Sequence, residues 1–150
     1  LGGLSFELAT SLGETTRKRA VAGNVQYRSG PLWLGAATDR LDSRTNLTLL
    51  AAGYNFGFVH PLVSVSKAEG GVNGSGKAFS IGATVPTGFG RVLASYGDYR
   101  PASGLDSTMF GAGAQYDLSK RTLLYTNIGS ARRDGLSRTT AYDVGIKHTF

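Results

Sequence analysis

Arginine and lysine are the side chains of this sequence with the most obvious binding chemistry. The 150 residues contain 16 of them against 10 aspartates and glutamates, which gives a formal net charge of +6 at pH 7. Guanidinium groups bind carboxylates and phosphates through paired hydrogen bonds, and ammonium groups bind them as point charges. The excess therefore favours anionic partners, but it does not choose among nucleic acid, lipid phosphate and small anions.

Other reactive groups are scarce. The chain has no cysteine, which removes disulfide, zinc–thiolate and thiol redox chemistry. Its two histidines, His60 and His148, lack the neighbouring carboxylate or serine of a barrel-mouth hydrolase. No spacing of histidine and acidic residues fits a metal site, and the segment VNGSGK at 72–77 lacks the full phosphate-loop pattern. The basic groups are too scattered for a nucleic-acid interface, so we expect no enzyme activity, no cofactor and no nucleic-acid partner.

Alternation of apolar and polar residues runs along the whole chain and predicts strands rather than helices. No apolar run approaches the roughly 18 residues of a transmembrane helix, whereas each alternating segment has about the 9–11 residues of a tilted membrane strand. We predict an all-β protein with residues 1–150 forming a single antiparallel β-barrel domain. The ten predicted strands cover roughly 3–11, 19–29, 31–40, 46–56, 58–68, 77–86, 90–99, 107–118, 121–131 and 139–150.

The connections between these segments alternate in length. Four are tight, with the sequences SGP, the single Gly57, PTGFG and LSKR. The intervening five are longer and polar, with the sequences LGETTRKR, LDSRT, EGGVNGSGK, RPASGLD and RRDGLS. Short turns on one rim and longer loops on the other are typical of an outer-membrane barrel. A soluble up-and-down barrel has no reason to sort its turns in this way.

The aromatic residues favour a membrane barrel over a soluble one. Alternation alone allows the apolar face to point either inward or toward lipid. Five aromatic side chains fall at the short-turn ends of their segments, where an interfacial girdle is expected: Tyr27, Tyr54, Phe56, Tyr116 and Phe150.

Several segments resemble the general trimeric porins of Gram-negative outer membranes, and particularly their anion-preferring branch. They are LGGLSFELATSLGE, RSGPLWLGAA, AAGYNFG, QYDLSKRTLLYTNIG and DVGIKHTF. The resemblance extends over essentially the whole chain and implies the last ten strands of a sixteen-stranded barrel. We therefore expect a fragment or a truncated homologue. A ten-stranded barrel that closes on itself remains an alternative, because ten is an allowed even number of strands. The resemblance also implies a homotrimer and an assembly signal in the final strand, formed by Phe150, Ile146, Val144 and Tyr142.

A porin needs a water-filled pore whose wall charges set the electrostatic potential inside it. Rings of basic residues bias such a pore toward anions. Strand phase points Arg28 and Lys147 inward. The full set of predicted pore-lining and selectivity residues is Arg28, Lys147, Arg91, Arg121, Arg19, Arg40, Glu7 and Asp143. Arginines in the long loops have an alternative interpretation as solvated groups or contacts to lipopolysaccharide phosphates.

The predicted function is passive diffusion of small hydrophilic solutes across the bacterial outer membrane, with a preference for anions. The expected partners are these solutes, the outer-membrane lipid and lipopolysaccharide, and two further copies of the chain. Two alternatives from other classes remain. One is a small closed barrel that acts as an adhesin or structural anchor without an open pore, and the other is an outer-membrane enzyme.

Overall fold

The computed structural model of the protein describes residues 2–11, 20–40, 45–70, 74–102 and 104–150. These residues form ten β-strands, and the predicted bounds of every strand are confirmed to within two residues. The strands are β1 (Leu4–Ser11), β2 (Ala20–Ser29), β3 (Leu32–Arg40), β4 (Asn46–Tyr54), β5 (His60–Glu69), β6 (Gly76–Thr87), β7 (Gly90–Pro101), β8 (Ser107–Ser119), β9 (Thr122–Arg133) and β10 (Thr139–His148). Among the described residues, no helix is long and apolar enough to span a membrane.

All ten strands belong to one antiparallel sheet in which each strand pairs with its neighbours in the chain, in the order β1 to β10. The ladder is continuous apart from one irregularity between Asp117 and Ser119, where β8 gains a bulge against β9. β1 and β10 form the two edges of the sheet and do not pair with each other. The sheet is therefore a barrel wall whose two edges are open.

Three of the four turns predicted to be tight have two residues, whereas the turn 55–59 has five, as many as three of the connections at the other rim. The short turns comprise residues 30–31, 55–59, 88–89 and 120–121, and together they form the short-turn rim of the sheet. The strand ends at the opposite rim, which we call the long-loop rim, flank the connections 12–19, 41–45, 70–75, 102–106 and 134–138.

The turn between β4 and β5 is longer than the single Gly57 predicted for it. The Asn55 side chain accepts a hydrogen bond from the Gly57 amide at 2.7 Å, and Gly57 adopts a positive φ of 87°. An asparagine side chain that bonds the backbone two residues ahead replaces the strand ladder locally. β4 therefore ends at Tyr54, and Phe56, predicted as the last residue of the strand, lies in the turn.

The strand register divides the side chains into two faces with different chemistry. The apolar face contains, in one cross-strand row, Val25, Ala36, Leu50, Val65 and Phe79. The polar face contains, in the adjacent row, Gln26, Gly35, Ala51, Ser64 and Ser80. A one-residue slip of any strand would exchange these sets, so the alternating pattern fixes the register.

No layer of protein from the described residues packs against the apolar face. None of the apolar side chains in the described residues is fully buried, and Phe6, Leu8, Val144 and Tyr142 are between 77% and 85% exposed. Soluble monomers rarely expose a continuous apolar surface of this extent. A surface of this kind is stable in contact with lipid, as on the outer side of a membrane barrel.

Aromatic rings cluster along the short-turn rim, as a membrane-interface girdle requires. Tyr54 and Phe56 lie with ring centroids 4.5 Å apart, and Phe56 and Phe58 lie 6.3 Å apart. Phe89 packs against Tyr116 at 5.2 Å. The turn residues Phe58 and Phe89 extend the girdle that was predicted from the strands alone.

Candidate channel wall

The polar face is the candidate functional surface because it carries the groups that can meet water and solutes. Ser64 and Ser80 face each other across β5 and β6, with their hydroxyl oxygens 2.7 Å apart. On β2, Asn24 and Gln26 occupy the same face. Small and hydroxylated side chains in the middle of this face leave the surface open and hydrophilic.

Cations concentrate where the polar face approaches the short-turn rim. We call this region the short-turn zone: the polar-face residues within three positions of a short turn, their cross-strand partners, and the turn residues themselves. Among the described residues, its ionised groups at neutral pH are Arg28, Arg91, Lys120, Arg121, Lys147 and Asp117. Five cations thus accompany one carboxylate.

Arg28 and Arg91 are held on the wall by the strands that carry them. Arg28 is the penultimate residue of β2 and lies opposite Trp33 of β3. Arg91 is the second residue of β7, where its Nε donates a hydrogen bond to Gln115 Oε1 at 2.6 Å. This bond orients the Arg91 guanidinium along the polar face. Gln115 was not predicted, because its role depends on the pairing of β7 with β8.

Lys147 and Arg121 line the same hollow near the edge of the sheet. Lys147 lies opposite Leu123, and the amide of Thr149 donates to the Arg121 carbonyl oxygen at 2.9 Å. Together with Lys120 and Asp117 they line one shallow hollow. Asp117 is therefore the single carboxylate among the four charged side chains that line this hollow.

Glu7 and Asp143 lie farther from the short-turn rim on the same face. Asn24 Nδ2 donates to Glu7 Oε2 at 3.2 Å across β1 and β2. Asp143 lies opposite Asn127 in the middle of β10. The structure thus brings six of the eight predicted pore-lining residues to one face, including Arg28, Lys147, Arg91 and Arg121.

Arg40 does not share that face. The register of β3 places it opposite Val21 and Asn46, in phase with the apolar Leu34. Its Nε donates to Asn46 Oδ1 at 3.0 Å, at the long-loop rim. The expectation that Arg40 lines the channel is therefore revised, because the alternation of β3 directs it to the lipid side. Arg19, the eighth predicted residue, lies outside the described residues.

The two histidines do not form a catalytic or metal-binding arrangement. His60 is on the polar face opposite Thr84, and His148 is on the apolar face, where its Nδ1 lies 2.9 Å from Thr122 Oγ1. The two side chains are thus on opposite sides of the sheet. Within the part of the chain that the structure describes, no group of three histidine, aspartate or glutamate side chains could hold a metal ion.

Trp33 is the most prominent polar-face residue that sequence reasoning did not single out. Its indole Nε1 donates to Gln26 Oε1 at 3.2 Å, so it belongs to the network that includes Asn24 and Glu7. The alternation of β3 does predict an inward side chain here. What the sequence does not reveal is that Arg28 and Gly53 become its neighbours on either side.

Comparison with known proteins relates this chain to Gram-negative porins. The family model described as Gram-negative porin matches residues 1–136. The anion-selective porin from Comamonas acidovorans superposes with a TM-score of 0.79 at 25% identity, covering 100% of this chain and 57% of that porin.

Two further solved porins share the fold. One refined porin gives a TM-score of 0.80 at 20% identity and covers 100% of this chain and 59% of its own. A mutant of the Rh. blastica porin gives a TM-score of 0.77 at 18% identity, and the match covers 100% of this chain and 52% of that porin. The chain thus spans between half and three fifths of the length of these porins. No curated protein sequence matches it.

Proposed function

This chain belongs to the Gram-negative porin family and is an outer-membrane β-barrel protein, and from that premise we propose that it forms the wall of a water-filled channel. Small hydrophilic solutes would cross it by passive diffusion, with a preference for anions. The observation that carries this proposal is the division of one sheet into an exposed apolar face and a polar face that carries charge. Such a wall separates lipid from a wet lumen.

The anion preference is supported by the short-turn zone of the polar face. Five cations and one carboxylate at the mouth of a pore raise the local concentration of anions and lower that of cations. Arg28, Arg91, Arg121 and Lys147 are the proposed selectivity residues. Glu7 and Asp143, which lie deeper on the same face, limit the preference. The relative from Comamonas acidovorans carries the description anion-selective.

We propose that strands beyond the ten described close this wall into a channel. Among the described strands, β1 and β10 each have a hydrogen-bonded neighbour on one side only, and an open sheet edge cannot remain in lipid because its backbone groups would lack hydrogen-bond partners. We propose that strands from the remainder of a longer porin chain complete the barrel and that three barrels associate as a homotrimer. The native mass would then exceed three times the 15.7 kDa of this chain.

The final strand is the proposed assembly signal. Phe150, Ile146, Val144 and Tyr142 all lie on the apolar side of β10 or just beyond its end. At the opposite rim, lipid-side cations that include Arg40 are proposed to contact lipopolysaccharide phosphates. A wall of this kind needs neither a catalytic group nor a cofactor.

Reconstitution of the full-length protein into a planar bilayer tests the channel. Discrete conductance steps are expected, and reversal potentials in a potassium chloride gradient should have the sign of anion preference. A folded protein that gives no conductance steps would overturn the channel and favour an adhesin or structural anchor. Conductance with a preference for cations would support the channel proposal and contradict the proposed anion preference.

A further inference from the structure

One cross-strand row of the polar face combines a cation, an aromatic ring and an apolar edge. Arg28 pairs with Trp33, Trp33 with Gly53, and Gly53 with Leu62. Leu62 is 45% exposed although it lies on the polar face. A large apolar side chain exposed beside an indole on the water-facing side of a channel wall forms a small platform rather than a core.

Two glycines allow the indole to lie along the wall. A Cβ atom at Gly35 would fall 2.9 Å from Trp33 Cζ2 and 3.0 Å from Cη2. At Gly53 it would lie 3.7 Å from Trp33 Cε3. The ring thus covers both glycine backbones, one on its own strand and one on the neighbouring strand. It presents its remaining face to the lumen.

A line of hydrogen bonds fixes the orientation of that ring. The indole Nε1 donates to Gln26 Oε1 at 3.2 Å, Gln26 Nε2 lies 3.5 Å from Asn24 Oδ1, and Asn24 Nδ2 donates to Glu7 Oε2 at 3.2 Å. Gln26 is therefore held with its carbonyl oxygen toward Trp33. A ring held by a hydrogen bond and supported from below loses little freedom when a ligand stacks on it.

We propose that Trp33, Arg28 and Leu62 form a subsite for solutes that carry both an aromatic ring and a carboxylate. The ring would stack in an offset arrangement on the lumen-facing side of the indole. The carboxylate would pair with the Arg28 guanidinium. Cβ atoms of directly opposed cross-strand residues lie about 5 Å apart, which matches a molecule the size of benzoate. This inference rests on the proposed function, because the polar face must be open to water.

The surroundings favour this ligand class over sugars. A sugar on an aromatic platform needs hydrogen-bonding groups around the ring, because its hydroxyls lose water on binding. Here the ring is flanked along its row by Gly53 and Leu62, while the Gln26 amide is engaged with Trp33 and Asn24. Arg28 supplies a strong anion-binding group at one end only. A planar ring with a single anionic end fits this polarity.

Fluorescence provides a direct test, because Trp33 is the only tryptophan in these 150 residues and a Trp33→Phe variant isolates its emission from that of the rest of the protein. The full-length protein in detergent is titrated with 4-nitrobenzoate, which quenches indole emission on contact, and a Trp33→Phe variant supplies the background. Saturable quenching is expected, and benzoate should reverse it. Acetate and cyclohexanecarboxylate at the same concentrations should not reverse the quenching, because acetate lacks a ring and cyclohexanecarboxylate lacks an aromatic face.

Variants separate the two halves of the subsite. Arg28→Gln should weaken the apparent affinity for 4-nitrobenzoate about tenfold, the loss of one charge-assisted pair. Gly35→Ala should weaken it as well, because the new methyl group displaces the indole. The matched controls are Arg133→Gln, at the long-loop end of the same face, and Gly97→Ala, where a Cβ meets nothing closer than 3.7 Å.

Quenching that is linear and unsaturable would overturn the subsite, and so would equal affinity in Arg28→Gln or equal competition by acetate. Its failure is distinguishable from failure of the channel proposal. A protein that conducts without saturable quenching refutes only the subsite. A protein that shows saturable quenching without conductance refutes the channel and leaves a binding site on a closed wall.

Discussion

Replacing Lys147 with glutamate should reduce the anion preference of the channel by an amount that the charge distribution predicts. The short-turn zone carries five cations and one carboxylate, a net charge of +4, and the substitution lowers this net charge to +2. Lys147 lies on the polar face opposite Leu123, in the hollow that also includes Asp117 and Arg121. An ion that passes this mouth therefore experiences a field change of two unit charges.

The size of the effect follows from Coulomb's law with salt screening. At about 10 Å in water, one unit charge contributes about 0.4 kcal/mol, and 0.1 M salt screens this to about 0.15 kcal/mol. Reversing one charge therefore shifts the free energy of a passing ion by about 0.3 kcal/mol, in opposite directions for anions and cations. The ratio of anion to cation permeability should fall about threefold in 0.1 M salt, and about sevenfold in 0.01 M salt, where screening is weaker.

Reversal potentials in potassium chloride gradients at both salt concentrations measure this ratio. The matched control is Lys77→Glu, the same change of charge on the apolar face at the long-loop rim. It should leave the ratio almost unchanged, since lipid and protein separate it from the lumen. Equal shifts in the two variants would refute the assignment of the faces. A shift in Lys147→Glu that did not increase as salt was lowered would refute the electrostatic origin.

Two further substitutions test the fold and its assembly. Gly90→Ala should destabilise the barrel by about 2–4 kcal/mol, because a Cβ atom there would overlap the Gln115 carbonyl oxygen at a positive φ of 156°. The control is Gly88→Ala in the preceding turn, where a Cβ atom meets open space, and it should not lower the thermal unfolding midpoint in detergent. Equal midpoints for the two variants would contradict the close approach at Gly90. Phe150→Ala should lower the yield of assembled barrel in outer-membrane fractions more than Phe58→Ala, an exposed aromatic at the same rim, and equal yields would show that Phe150 acts only as part of the girdle.

The fold could be predicted closely from the sequence because each strand has one face suited to lipid and the other suited to water. Lipid on one side and water on the other impose strict alternation, and alternation fixes both the phase and the length of a strand. The largest difference arose between β4 and β5, where Asn55 binds the Gly57 amide. A side-chain hydrogen bond to the backbone ends a ladder without interrupting the apolar pattern, so periodicity could not locate it.

The candidate site was less predictable because it depends on which residues become cross-strand neighbours. Phase alone placed Arg28 and Lys147 on the polar face. It did not reveal that Arg28 lies beside Trp33 or that Arg91 bonds Gln115, since both contacts depend on register and on side-chain conformation. The prediction that Arg40 lines the pore fails for a different reason. It rests on the position of Arg40 near a loop, whereas the alternation of β3 determines which face its side chain is on.

The formal charge of the chain is a poor guide to the charge of its proposed lumen, and the reason is the same division into faces. On the apolar side at the long-loop rim lie Arg40, Lys67, Lys77, Arg100 and Arg132. Lys67 is paired there with Glu69, and Arg100 Nε lies 2.7 Å from Asp98 Oδ1. These groups contribute to the total of +6, but they lie on the apolar side of the sheet and not on the polar face that we propose as the channel wall. We therefore expect an anion preference to come mainly from the short-turn zone, and substitutions there should change selectivity more than substitutions of equal charge on the apolar side of the long-loop rim.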